Sequence, residues 1–207
     1  MLRHCSRGFS LVELMVASAL SLALLATALH FHRLVAGVLQ EIEAEHRLAT
    51  ALDRSLGLIL AEARRAGFRA GGGPPLHSPP GAVLTLGAAP GEPAASCLLY
   101  AYDRNGDGLL GVGRRGRAGK GRTRVNMEQF GVRLYRQHLQ IRLGGARHAC
   151  RGGHWEGLTP PEIRVRRLRF ARTTGPAGEP RLQVELEAVD AAGRSARRRG
   201  STWLPNA

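Results

Sequence analysis

The chain has 207 residues, which is enough for one domain of ordinary size with an added membrane helix or tail, and this excludes an array of several large domains. Its formal net charge is +14, carried almost entirely by arginine, and aromatic residues make up only 5%. This charge favours contact with nucleic acid, anionic lipid or an acidic partner, but it selects none of them and says nothing about the fold.

A long apolar run follows a short basic segment at the N-terminus. From Phe9 to Leu29 the only charged side chain is that of Glu13. As a helix, these 21 residues would span ~31 Å, which matches the roughly 30 Å hydrocarbon core of a bilayer. The run therefore predicts a membrane helix.

The charges before this run predict its orientation. Arg3 and Arg7 precede it, so the positive-inside tendency places the N-terminus in the cytoplasm and the residues after about His30 on the other side. A secretory signal peptide is the alternative, but its apolar core would have only about 7 to 15 residues and a small-residue cleavage site would follow. The bulk of the chain is therefore expected outside the membrane.

Glu13 is the first candidate functional residue, because a carboxylate in a membrane segment costs ~2.5 to 3.5 kcal/mol and needs a counter-charge. The residues around it, RGFSLVEL over 7–14, resemble the class III signal of type IV prepilins and pseudopilins. The resemblance implies that a prepilin peptidase cuts between Gly8 and Phe9 and methylates the new N-terminal Phe9. It also implies that Glu13 pairs with the terminal amine of a neighbouring subunit. A plain membrane anchor with a fortuitous glutamate is the alternative.

The helical pattern continues beyond the membrane segment. Apolar residues recur three and four positions apart, at Leu39, Ile42, Leu48, Leu52, Leu56, Ile59, Leu60 and Ala63. Glycines and prolines from Gly67 to Pro75 predict the end of the helix. We therefore expect a leader over 1–8, a membrane part of the helix over 9–37, an amphipathic part over 38–69 and a β-rich periplasmic head over 70–207.

Short alternating segments predict the strands of this head. They run over 82–86, 97–102, 130–135, 139–143 and 182–189, with a hairpin turn at 136–138. The segment 163–172 changes register near Arg166 and Arg167, which predicts a β-bulge. The expected fold is α+β and pilin-like, with a long N-terminal helix packed on an antiparallel β-sheet head.

The head also resembles PilW-type minor pilins, which overlap with PulJ-like pseudopilins and prepilin peptidase-dependent proteins. The resemblance rests on ARRAGFR at 63–69, CLLY at 97–100 before DRNGDG at 103–108, EQFGVRL at 128–134, and Cys150 shortly before WEGLT at 155–159. It implies a structural subunit that helps to initiate or cap a type IV pilus or a secretion pseudopilus. The implied partners are prepilin peptidase, other major and minor pilins or pseudopilins, and inner-membrane lipid.

The cysteines predict a disulfide. Removal of the basic leader over 1–8 would remove Cys5 and leave only Cys97 and Cys150. An even pair of cysteines in an exported chain favours one disulfide bridge. A metal site of His148, Cys150 and His154 is the alternative, but its spacing fits no structural zinc module.

Asp103, Asn105 and Asp107, followed by Gly108, match the first half of a calcium-binding EF-hand loop. Arg114 stands where the bidentate glutamate belongs, so a complete EF-hand is excluded. Two interpretations remain, a weak Ca²⁺ site with Glu128 as a remote ligand, or a turn held by Asx side chains.

No enzyme motif satisfies its structural requirements, so we expect a protein that is not an enzyme. A GxGxxG match at 111–116 lacks the following helix of a dinucleotide fold, and neither GxSxG nor HExxH occurs. The rival function is a DNA-capturing or surface-binding pseudopilin that uses the arginine-rich loop 114–124. No aromatic residue for base stacking lies between Tyr102 and Phe130, and the arginine run at 197–199 is equally bare.

Overall fold

The computed structural model describes residues 10–71, 83–106, 108, 110, 128–145 and 147–206. The chain divides into two compact units, Met1–His46 and Arg47–Ala207. The long helix α1, Leu11–Arg64, contributes residues to both units.

In the first unit, α1 is apolar and almost wholly exposed. No proline interrupts its 54 residues. Hydroxyl groups in the apolar part donate to carbonyls of the preceding turn, as Ser21 does to Ala17 O at 2.8 Å, so they need no water. By length and composition, α1 is the one helix among the described residues that could cross a membrane.

The helix ends close to the predicted boundary. It stops at Arg64, and turns continue to Gly67, whose φ of 82° lies in the left-handed region. The Gly67 amide donates to Ala101 O at 2.8 Å, and a Cβ on Gly67 would clash with the carbonyl of Asn206. The left-handed φ and the close approach of Asn206 explain why glycine is required here.

The first β-sheet has five antiparallel strands in sequential order. They are β1 Leu84–Gly87, β2 Cys97–Ala101, β3 Gln129–Tyr135, β4 His138–Arg142 and β5 Glu156–Gly157. The predicted hairpin between β3 and β4 is confirmed. Arg136 and Gln137 form its turn at φ of 50° and 63°, and Glu92 Oε1 accepts a 2.7 Å hydrogen bond from the Arg136 amide. That bond helps a turn without glycine to hold a left-handed backbone.

The second β-sheet has three antiparallel strands, β6 Arg164–Thr174, β7 Pro180–Val189 and β8 Ser195–Trp203, in that order. The predicted bulge is confirmed, because the register between β6 and β7 shifts between Val165 and Arg167. The two-residue strand β5 and the long strand β8 were not predicted.

One core joins the C-terminal part of α1 to both sheets within the second unit. The helix contributes a stripe that comprises Leu48, Leu52, Leu56, Ile59 and Ala63. Strand β7 faces it with Leu182, Val184, Leu186 and Ala188, which are fully buried, while the alternate residues lie on the outer face. A long apolar helix packed on antiparallel sheets confirms the α+β, pilin-like architecture.

Candidate functional site

The start of α1 places Glu13 three residues after Ser10, where it makes the glutamate half of a capping box. Its Oε2 accepts a 3.0 Å hydrogen bond from the amide of Ser10, and the carbonyl of Ser10 accepts from Leu14 at 3.1 Å. The sequence pattern Ser-x-x-Glu could have predicted this local bond. Gly8 and Phe9, the expected cleavage residues, lie outside the described part of the chain.

Cys97 and Cys150 form the predicted disulfide, with their Cα atoms 6.2 Å apart. The bridge ties β2, the second strand of the first sheet, to the segment after β4. It closes a loop over a sequence separation of 53 residues, which is worth about 4 kcal/mol in the chain-entropy model. The alternative metal site with Cys150 as a ligand is therefore wrong, because the sulfur is already bonded.

The histidines of that alternative site have other contacts. His148 lies between Gln129 Oε1, 2.5 Å from Nδ1, and Thr85 Oγ1, 2.7 Å from Nε2. Burial and the charge of Arg142 lower the pKa of His148. His154 is exposed, with Nε2 at 3.5 Å from Glu156 Oε1. A neutral His148 can donate from one nitrogen and accept at the other, so it satisfies both neighbours.

Two arginines brace the segment that carries the disulfide. Arg133 Nη1 donates to Cys150 O at 2.6 Å, and Arg142 Nη1 donates to Ala149 O at 3.1 Å. Their guanidinium carbons lie 4.2 Å and 4.9 Å from the ring centroid of Trp155. Burial lowers the pKa of both arginines. These arginines are part of the structural framework, and no pattern in the sequence indicated this role.

Asp103 is the first residue of the predicted calcium loop, and it is buried, with only 3% of its surface exposed. Its Oδ1 accepts from the Gly106 amide at 2.7 Å, and its Oδ2 accepts from the amides of Ala70 and Gly108 at 3.0 and 2.8 Å. Asp103 therefore closes the loop onto the segment after α1, as an Asx-held turn requires. We call this arrangement the Asp103 clamp.

Glu128 supports the same loop. It is also 3% exposed, and its Oε1 accepts from the amides of Arg104 and Asn105 at 3.0 and 3.3 Å. The structure thus brings Glu128 to the loop, where the sequence placed a remote calcium ligand. Asp107 lies outside the described residues. Among the residues that are described, no three His, Cys, Asp or Glu side chains form a group that could hold a metal ion.

An aromatic groove of about 550 Å³ lies beside the clamp. Tyr102 and Phe130 stack in its wall with centroids 4.3 Å apart. Glu62 forms an ion pair with Arg65 at 3.2 Å and lies within 3.5 Å of the hydroxyl of Tyr102. Two charged groups of the groove, Glu62 and Arg65, are therefore paired with each other. The basic loop 114–124, the predicted surface of the rival function, lies outside the described residues.

Two family models match the chain, and together they cover most of its length. Residues 3–29 match the prokaryotic N-terminal methylation motif, which covers the basic segment, Glu13 and the apolar run. Residues 41–205 match the model of prepilin peptidase-dependent protein B. The chain belongs to this prepilin peptidase-dependent family. No curated protein and no solved structure matched it.

Membership confirms the type IV pilin-like resemblance found in the sequence. The methylation motif implies processing by prepilin peptidase and assembly with other pilins. One N-terminal apolar helix with this motif is consistent with a single-pass protein of the inner membrane. The family points to a structural protein of the pilin type.

Proposed function

We propose that this protein is a minor pilin or pseudopilin, a structural subunit that helps to initiate or cap a type IV pilus or a related secretion pseudopilus. The observation that carries the proposal is a methylation motif over residues 3–29 joined to a helix long and apolar enough to cross a membrane. The protein is first held in the inner membrane by this helix, with the N-terminus in the cytoplasm and the head in the periplasm. It later packs against the helices of other subunits.

Glu13 gives this proposal its mechanism. Within the part of the precursor that the structure describes, the Glu13 carboxylate accepts from the Ser10 amide, which satisfies a hydrogen bond but not a charge. Cleavage between Gly8 and Phe9 creates an amine on each subunit. The amine of a neighbouring subunit then supplies the positive charge that the carboxylate requires in an apolar setting.

Two substitutions separate the charge from the helix cap. Glu13→Ala removes both, whereas Glu13→Gln keeps an acceptor for the Ser10 amide and removes only the charge. Both variants should insert, since loss of a charge eases insertion, and both should be depleted from sheared filaments or pseudopili. Normal incorporation of Glu13→Gln would refute the pairing role. Normal incorporation of Glu13→Gln with depletion of Glu13→Ala would assign Glu13 to helix capping alone.

Mass spectrometry tests the processing on which this mechanism depends. The mature protein should begin at N-methyl-Phe9, because the peptidase requires a glycine before a hydrophobic N-terminus at the membrane face. An intact Met1, or a cut beyond Leu29, would refute the proposed function as a whole.

A further inference from the structure

The outer face of the three-stranded sheet carries an ordered set of charges. The inner face of β7 is buried in the core, so the alternate residues of β6, β7 and β8 project to the other side. The strand register aligns them in two rows of three, each with a glutamate between two arginines. One row is Arg167, Glu187 and Arg197, and the other is Arg169, Glu185 and Arg199. We call these six residues the arginine face.

The acids of the arginine face do not neutralise it. Glu185 Oε1 forms ion pairs with Arg197 and, at 3.5 Å, with Arg199. Arg167 and Arg169 are exposed, and neither forms an ion pair with the part of the chain that the structure describes. Four arginines against two glutamates leave two positive charges in excess. The side chain of Arg199 is 59% exposed, so its unused donors point to solvent.

We propose that the arginine face binds an acidic segment of another pilin or pseudopilin subunit, whose carboxylates complete the two rows. The inference rests on the proposed function, since it names the chemistry of a neighbour in the assembly. The rows are two residues apart along the strands, which is ~6.8 Å. Carboxylates two residues apart on a strand, or four apart on a helix, have nearly this spacing. Arginine can bind each of them with two parallel hydrogen bonds.

The distribution of charge favours a protein over a nucleic acid. Glu185 and Glu187 run along the middle strand, where a continuous phosphate backbone would meet them, whereas separate carboxylates can bind the flanking arginines. Trp203 lies on the same face at the end of β8 and is 46% exposed. Tryptophan and arginine are the residues that most often dominate protein interfaces.

Charge reversal tests the arginine face in cells that assemble the filament. The full-length wild type is compared with R197E/R199E, with the milder R197Q/R199Q and with the control R172Q. Arg172 is an exposed arginine of β6 whose row contains buried Leu182, so it lies on the opposite face. The readout is the amount of each protein in sheared filaments or pseudopili relative to the membrane. Thermal melts of the detergent-solubilised proteins establish that each variant is folded.

We expect R197E/R199E to reduce incorporation by about tenfold, equivalent to about 1.4 kcal/mol, and R197Q/R199Q to reduce it less. R172Q should behave as wild type. Selection for restored incorporation of R197E/R199E should yield Asp or Glu to Lys changes in another pilin subunit. Such compensation is specific to a charge contact, because a folding defect in the head would not be repaired by reversing a partner's charge.

Three results would overturn the inference, and each is distinct from failure of the proposed function. Incorporation of a folded R197E/R199E at the wild-type level would show that the arginine face is not an interface. Suppressors that map only within this chain would assign the defect to stability. Loss of binding to a single-stranded oligonucleotide by R197Q/R199Q, with normal incorporation, would assign the face to nucleic acid. Absence of the wild type itself from the filament would instead refute the proposed function.

Discussion

Replacement of Asp103 by alanine should destabilise the head by more than the loss of a surface ion pair does, because this carboxylate is buried and accepts several hydrogen bonds. The substitution removes the acceptor for three backbone amides, those of Ala70, Gly106 and Gly108. A typical hydrogen bond contributes about 1 kcal/mol net, and a bond to a charged group contributes more. Ala70 and Gly106 are exposed and can be rehydrated, so the lower figure applies. The expected loss is about 3 kcal/mol.

A graded series tests this estimate. Asp103→Asn can turn its oxygen toward Ala70 and Gly108 and lose only the bond to Gly106, so its cost should be smaller than that of Asp103→Ala. The matched control is Asp53→Ala, which removes an exposed ion pair to Arg198 at 2.7 Å and should cost at most about 1 kcal/mol.

The assay is thermal unfolding of the full-length protein in detergent, followed by tryptophan fluorescence. For a chain of this size, a loss of about 3 kcal/mol corresponds to a fall in Tm of about 6 to 12 °C. If Asp103→Ala lowers Tm no more than Asp53→Ala does, the clamp contributes no more than a surface ion pair and the reasoning fails. If Asp103→Asn costs as much as the alanine variant, the individual bonds have been counted wrongly.

Three other outcomes follow from the same head. Reduction of the Cys97–Cys150 bridge should lower the free energy of unfolding by up to about 4 kcal/mol, measured by urea unfolding with and without reductant. Burial lowers the pKa of His148 in the folded state, so the contribution of this residue to stability is fully present above its unfolded-state pKa of ~6.5 and is lost as the pH falls through its lower folded-state pKa. The variant His148→Gln should therefore flatten this part of the curve of stability against pH. Millimolar Ca²⁺ should raise Tm if Asp103 and Asp107 form a weak calcium site. Equal shifts in the wild type and in the Asp103→Ala, Asp107→Ala double variant would instead show that the loop is only a turn.

Strand β8 shows why part of the head could not be predicted from the sequence. Its core-facing positions alternate as Ala196, Arg198, Gly200 and Thr202, which is no apolar pattern. Arg198 reaches Asp53 on α1, and a Cβ on Gly200 would lie 2.8 Å from a methyl carbon of Leu60. This strand lies close to the helix through a small residue and an ion pair, so period-two hydrophobicity never appears.

Other elements were predictable because one local rule decided each of them. The strand at 182–189 alternates strictly, and the bulge near Arg166 is a visible break in the alternation of the segment 163–172. The membrane helix follows from length and hydropathy. By contrast, alternation predicts which residues form strands but not which strands share a sheet, so one sheet was expected where there are two. The clamp was half predicted, since spacing identified Asp103 but not the three backbone amides that it binds.

The structure also resolves a question that composition left open, namely what the excess of arginine does. Some arginines serve the fold, since Arg133 and Arg142 stack on Trp155 and Arg194 pairs with Asp190 at 2.7 Å. Their contacts lie within the chain, so these arginines have a role in the fold.

The arginine face differs from these groups, because its four arginines are balanced by only two glutamates. Desolvation lowers the pKa of Arg197, and repulsion by the neighbouring cations Arg199 and Arg167 lowers it further. Such crowding is unfavourable in the isolated subunit and is relieved when external carboxylates enter the rows. The ion pairs of Glu185 with Arg197 and Arg199 link two strands of the sheet but leave two positive charges of the face in excess, and the carboxylates of an acidic neighbour in the assembly would balance them.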